Sequence, residues 1–214
     1  MASGSAIISF FLLSLALVAN AADPDPVLDF CVANNSSSGS SGSCRNPSAV
    51  TGQDFVSEIL RNMNNTQGPN TFNATLASVS TFPGLNTMGL SIARVDFGVG
   101  GVVPTHVHPR ASELVYVAEG TISAGFVDTN NVLFARTLQR GDLIIIPRGL
   151  LHYLYNVGSE PAIAFVVYNS QEAGLQLLGP SLFGSEIPTP VLASSLSLNE
   201  STIAALRGIY APSS

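Results

Sequence analysis

From Met88 onward the chain is a series of short β-like runs broken by turn signals, and this pattern leaves few folds open to it. The runs are Gly89 to Phe97, Glu113 to Val117, Thr121 to Val127, Val132 to Leu138, Leu143 to Ile146, His152 to Asn156 and Ala162 to Tyr168. Between them lie Gly98 to Gly101, Glu119-Gly120, Asp128 to Asn131, Arg140 to Asp142, Pro147 to Gly149 and Gly158 to Pro161. Short strands at this spacing predict an antiparallel sandwich or barrel. Parallel strands would need helix-length crossovers, and none separates these runs. With 46% hydrophobic and only 10% charged residues, the chain is neither disordered nor a long charged helix. A length of 214 residues suits one domain with a real core.

The flanks read differently. Thr51-x-x-Asp54 ahead of Phe55, Ile59 and Leu60 predicts a short capped helix, and Asn62 to Thr71 is polar and turn-rich. Near the C-terminus, Thr189-Pro190 starts a helix through Leu192. Ser197-x-x-Glu200 reads as a capping box for another, with Ile203 and Leu206 on one face and Gly208 as its stop. The apolar faces of both helices need a partner surface, either the barrel or another subunit.

At the other end, Ala6 to Val18 is apolar apart from two Ser and is followed by Ala19-Asn20-Ala21. The run falls short of the about 20 apolar residues that span a bilayer, and the small-residue site after it marks a secretory leader. The expected division is a signal peptide at 1–22 and one mature domain at 23–214, with a barrel core at about 82–170 and C-terminal helices at about 187–208. Secretion predicts a disulfide between Cys31 and Cys44, the two cysteines of the chain. It also makes Asn34, Asn35, Asn64, Asn73 and Asn199, each in an N-x-S/T triplet, candidate glycan acceptors.

The net charge is −6, and all eight basic residues are scattered Arg. Nucleic-acid binding needs clustered cations, so that partner class is excluded. Without Lys, Schiff-base chemistry is excluded as well.

The chain has three His. His106 and His108 stand at i and i+2, which on an extended strand places both rings on one face. Pro109 then turns the chain, Glu113 follows, and His152 lies in the later segment Gly141 to Asn156. Three imidazoles and a carboxylate suit a divalent transition metal. A lone His-x-His on a strand also fits a polar surface pair, and spacing alone leaves both readings open.

Gly101-x4-His106-x-His108-x4-Glu113-x6-Gly120 resembles the first cupin motif, and Gly141-x5-Pro147-x-Gly149-x2-His152-x3-Asn156 resembles the second. Asp23 to Ala33, Phe82 to Phe97, His108 to Glu113 and Pro188 to Leu192 are similar to germins and germin-like proteins of plants. This resemblance implies an all-β cupin jelly-roll barrel with short terminal helices and an N-terminal disulfide. It implies manganese held by His106, His108, Glu113 and His152. It further implies a glycosylated apoplastic protein, cell-wall association, and a homohexamer built as a trimer of dimers. Four protein donors on an octahedral metal leave two positions open, unlike a closed structural zinc site. Affinity alone favours zinc or copper over manganese, so loading and geometry must decide.

Family members divide by activity among oxalate oxidases, superoxide dismutases, nucleotide-sugar phosphodiesterases and auxin-binding proteins. Oxalate oxidases use Asn side chains to hold their substrate, and the matching positions here are Ala93 and Val103. Neither side chain donates a hydrogen bond, so a small dianion would lack partners. The expectation is therefore a superoxide dismutase acting on small oxygen species. Oxalate oxidation and a non-catalytic wall, binding or storage role are the alternatives. Arg140-Gly141-Asp142 spells an adhesion tripeptide, but its Gly is already required by the second motif, so a turn role is expected.

Overall fold

The computed structural model describes residues 28–34, 43–64, 66 and 71–210. The expected leader at 1–22 and the candidate acceptor Asn35 lie outside the described residues.

Among the described residues, ten strands follow one another: β1 Phe72–Ala77, β2 Ser91–Phe97, β3 Val102–Val107, β4 Glu113–Glu119, β5 Thr121–Val127, β6 Leu133–Gln139, β7 Leu143–Ile146, β8 Leu151–Asn156, β9 Ala162–Tyr168 and β10 Gln176–Leu177. They form two five-stranded sheets, ordered β1-β2-β9-β4-β7 and β10-β3-β8-β5-β6. Every pairing is antiparallel, as the short turns require. The result is a jelly-roll, with the two sheets closing around one interior.

Alternation along each strand builds that interior. In β4, Val115 and Val117 are buried while Leu114 and Tyr116 face outward. In β9, Ala162, Ala164, Val166 and Tyr168 point inward. Ala93, Val95 and Phe97 of β2 meet Val103, Ile122, Ala124, Leu138 and Leu154 from the opposite sheet. Each fully buried large aliphatic or aromatic side chain contributes about 1.5–3 kcal/mol. The sheets also use segments outside those runs, namely β1, β3 and β10, of which β3 alone was expected to be extended, from the His-x-His spacing. Gly120 shows why the turns must be where they are. Its φ is +83°, and an added Cβ would lie 2.5 Å from that of Ala162.

The outer face of β2 carries a buried ion pair. Arg94 Nε donates to Asp96 Oδ1 at 2.9 Å. The Asn64 backbone N–H and its Nδ2 donate to Asp96 Oδ2 at 3.0 and 3.2 Å, and Nδ2 also donates to Thr75 Oγ1 at 2.6 Å. The segment before β1 is thereby fastened over this face. Asn64, one of the acceptor candidates, is thus held by its own amide against the sheet, whereas Asn73 and Asn199 are exposed.

Cys31 and Cys44 form a disulfide with Cα atoms 4.9 Å apart. Ala33 N–H donates to Pro83 O at 3.0 Å, so the closed loop is tied to the turn before β2. A single 3₁₀ turn, Gly52–Phe55, stands where the capped helix was expected. The Asp54 carboxylate accepts from the Thr51 N–H at 2.8 Å and from Arg45 at 2.5 Å.

Three helices follow the strands among the described residues: α1 Leu178–Phe183, α2 Thr189–Leu196 and α3 Glu200–Tyr210. The first had no sequence signal recognised above. The capping-box expectation is corrected. Ser197 is the left-handed C-cap of α2, with φ 54°, and Asn199 caps α3 by accepting from Thr202 N–H at 2.8 Å. Nor does Gly208 stop α3, which runs on to Tyr210, whose ring stacks on Phe183 at 6.0 Å. Leu192 and Ile203 are buried between these helices and their surroundings, while Val191 and Ile209 remain exposed.

Candidate metal centre

The antiparallel register assembles the site. His106 on β3 is paired directly with His152 on β8, and the register shifts between Val103 and His106. Glu113 opens β4 on the same inward row as Val115 and Val117. His108 lies one residue beyond the end of β3 rather than on the strand, so the turn into Pro109 completes the set. One ligand atom from each of the four residues lies within 4.8 Å of all the others. All four side chains are buried.

Hydrogen bonds fix how each ring presents itself. His106 Nδ1 bonds Pro104 O at 2.7 Å, His152 Nδ1 bonds Leu150 O at 2.8 Å, and His108 Nδ1 bonds Gly174 O. A carbonyl oxygen only accepts, so each Nδ1 carries the hydrogen and each neutral ring offers an Nε2 lone pair. The Nε2 atoms of His108 and His152 each stand 3.1 Å from Glu113 Oε2. His108 Nε2 has no aligned hydrogen-bond partner. Lone pairs facing a carboxylate in a buried site repel unless a cation lies among them. The donor set and the orphaned nitrogen therefore fit a divalent metal ion, with carbonyls orienting the rings from behind.

Electrostatics agree. Burial, then the neighbouring His152, pulls the His106 pKa down to about 4, which keeps that ring in its ligating form. Burial alone would raise the Glu113 carboxyl, but the close approach of the His108 and His152 rings outweighs it and holds the group at about 2. Burial pushes the Tyr168 phenol well above its ordinary range, with the Glu113 charge adding to the effect.

A cavity of about 270 Å³ opens beside the donors. Leu76, Ala93, Val95, Val103, Leu154 and Val166 give it an apolar wall, and Tyr168 and Glu172 are its remaining polar side chains. Ala93 and Val103 thus both line the space next to the metal centre. The wall formed by 172–175 is strapped down by Arg110, whose Nε donates to Glu172 O at 2.8 Å and whose N–H donates to Ala173 O at 3.1 Å. Sequence reading singled out neither Tyr168 nor the 172–175 segment. Tyr168 ends a strand that reads simply as an apolar run, and only the register shows what it faces.

Arg140-Gly141-Asp142 forms the turn between β6 and β7. Gly141 has φ +94°, and the Asp142 carboxylate accepts from Gln139 N–H at 2.8 Å. The last Asn of the second motif is likewise a turn staple: Asn156 Nδ2 donates to Gly98 O at 2.9 Å and to Glu160 O at 2.8 Å. Among the described residues, no helix is long and apolar enough to cross a membrane.

Comparison with known proteins places this arrangement. The cupin family matches residues 58–204. Auxin-binding protein ABP20 of Prunus persica is 44% identical over 205 residues, covering 95% of this chain and 93% of that protein. Germin-like protein subfamily 2 member 1 of Arabidopsis thaliana is 40% identical over 211 residues, covering 96% of this chain and 93% of that protein. A solved structure of oxalate oxidase superposes with a TM-score of 0.84 at 38% identity, covering 90% of this chain and 100% of the other. The fold, the two histidine segments and these relatives agree: the chain belongs to the germin-like proteins of the cupin family.

Proposed function

We propose that this chain is a secreted manganese protein that dismutates superoxide. The observation that carries the reading is the pairing of an open four-donor metal site with a cavity wall lacking polar substrate anchors. Four protein donors leave an octahedral ion two free positions, and Ala93 and Val103 give a larger anionic substrate nothing to bond. When bound, manganese supplies a one-electron couple: one superoxide is oxidised to dioxygen, and a second, with two protons, is reduced to hydrogen peroxide. The chain's own part is to keep His106 neutral and Glu113 ionised, orient the three rings through backbone carbonyls, and exclude bulk water with the apolar wall.

An in-gel dismutase assay on protein of verified manganese content tests the proposal. A clearing band that follows the metal supports it, and a fully loaded, inactive protein rejects it. Oxalate oxidation is the competing reading, favoured by the 38% identity to oxalate oxidase. The missing amides at Ala93 and Val103 weigh against a dianion in this cavity.

The same proposal takes 1–22 as a leader and 23–214 as the mature domain, with apoplastic location and glycan on exposed acceptors such as Asn73. It also includes a homohexamer. Leu114, Tyr116, Leu143 and Ile145 form an exposed apolar stripe across paired β4 and β7, and Ile209 of α3 is exposed as well, surfaces suited to self-association.

A further inference from the structure

The cavity holds one polar group that the metal reading leaves unused. Tyr168 ends β9 and is paired directly with Glu113 of β4. Side chains paired this way have Cβ atoms roughly 5 Å apart and project from the same face. Tyr168 belongs to the inward row of β9, so its ring enters the interior beside the Glu113 carboxylate. It also meets the His108 ring edge-on, with centroids 4.7 Å apart and planes at 60°. The phenol thus lies against two of the four donors.

Tyr168 is only 7% exposed and lines the cavity. Its hydroxyl is not among the sealed, partnerless polar atoms of the interior, which fits a group that reaches the open space of the cavity. A hydroxyl on an otherwise apolar cavity wall calls for an explanation, because phenylalanine would pack there as well. Apart from the metal donors, the other lining side chains are apolar except for Glu172, an acceptor when ionised. Among the described residues, Tyr168 is therefore the single lining side chain outside the metal set that can donate a hydrogen bond into this space at neutral pH.

We propose that the Tyr168 hydroxyl donates a hydrogen bond to a small oxygen- or nitrogen-based anion held beside His106, His108, Glu113 and His152, and so sets its affinity and orientation. This rests on reading those four residues as a metal centre. It does not depend on which reaction follows.

The test compares wild type with Tyr168→Phe, which removes one oxygen and keeps the ring against His108. Both proteins are loaded with manganese, their metal content and thermal midpoint are measured, and each is titrated with sodium azide followed by the Mn(II) EPR signal. Equal metal content, equal midpoint and a roughly 10-fold weaker azide Kd are expected, the loss of one hydrogen bond to a charged group. An azide Kd unchanged within about twofold, below what the loss of such a bond produces, overturns the role. So does a wild-type spectrum indifferent to azide. Reduced metal content in Tyr168→Phe would assign the residue to packing His108 and overturn it too. A wild type that takes up no manganese removes the metal reading and this role together. A loaded wild type that fails to dismutate superoxide yet keeps the azide difference would reject the proposed activity and leave Tyr168 in place.

Discussion

His106 and His152 stand directly opposite each other in the register of β3 and β8, with ring centroids 4.0 Å apart. Two imidazolium charges at that distance inside a barrel would repel strongly. Burial first, and then the neighbouring His152, hold the His106 pKa at about 4, so this ring stays neutral, the form a metal requires. Histidines far apart in sequence thus become one chemical unit through strand pairing.

Replacing His152 by Ala should empty the metal site while the barrel still folds. His152 comes from a different strand from the His106 segment, so its loss opens one side of the donor set. Metal affinity should fall by more than about 100-fold, since even outer partners of ligands cost 10–100-fold. Elemental analysis and circular dichroism on the same sample check this. Wild-type metal content in the folded mutant would refute the four-donor assignment.

Wild type should release little or no peroxide from oxalate. Each missing hydrogen bond to a charged group costs about 1.5–3 kcal/mol, so apolar Ala93 and Val103 should weaken oxalate engagement at least about 100-fold. Ala93→Asn/Val103→Asn should bind oxalate more tightly while dismutase activity survives, because the metal donors are untouched. A peroxide-coupled assay on both proteins decides the matter. Robust activity in manganese-loaded wild type would show that the cavity reading is wrong.

Metal-free protein should lose stability as pH falls. The unfolded His106 binds a proton near its ordinary value of 6.5, whereas the folded one resists until about 4. Unfolded Glu113 takes up a proton near 4.5, whereas folded Glu113 holds out to about 2. In both cases the unfolded state binds more protons, so the contribution is full above the unfolded value and is lost as pH drops toward the folded one. His106 acts between pH 6.5 and about 4, and Glu113 between 4.5 and about 2. Urea midpoints of apoprotein measured from neutral to acid pH should decline steadily. A flat profile between neutral pH and about 4 would contradict the His106 shift.

Opening the disulfide should destabilise the N-terminal arm more than the barrel. The bond closes a loop across a sequence separation of 13, and chain entropy assigns such a loop about 3 kcal/mol. Cys31→Ser/Cys44→Ser should lower the unfolding midpoint and raise protease sensitivity before β1, with the metal content kept. Loss of metal in that variant would mean that the arm supports the site directly.

Much of this protein was legible in the sequence because much of it is local. Turn residues and alternating runs marked β5, β7 and β9 with their observed bounds, since period-two burial and chain reversal depend on near neighbours. The His-x-His pair, Glu113 and the third His suggested a donor set by residue type, and the resemblance to the two cupin motifs completed it. Tertiary structure decided the rest. β1 and β10 are strands because they pair with β2 and β3, not because their own sequence insists on it. Asn199 rather than Ser197 caps α3 because Ser197 is spent ending α2. Tyr168 joins the metal centre only through its register with Glu113, a relation between strands that no window of neighbouring residues contains. Local chemistry can propose which groups bind a metal. Long-range hydrogen bonding between strands determines which groups meet and what else stands beside them.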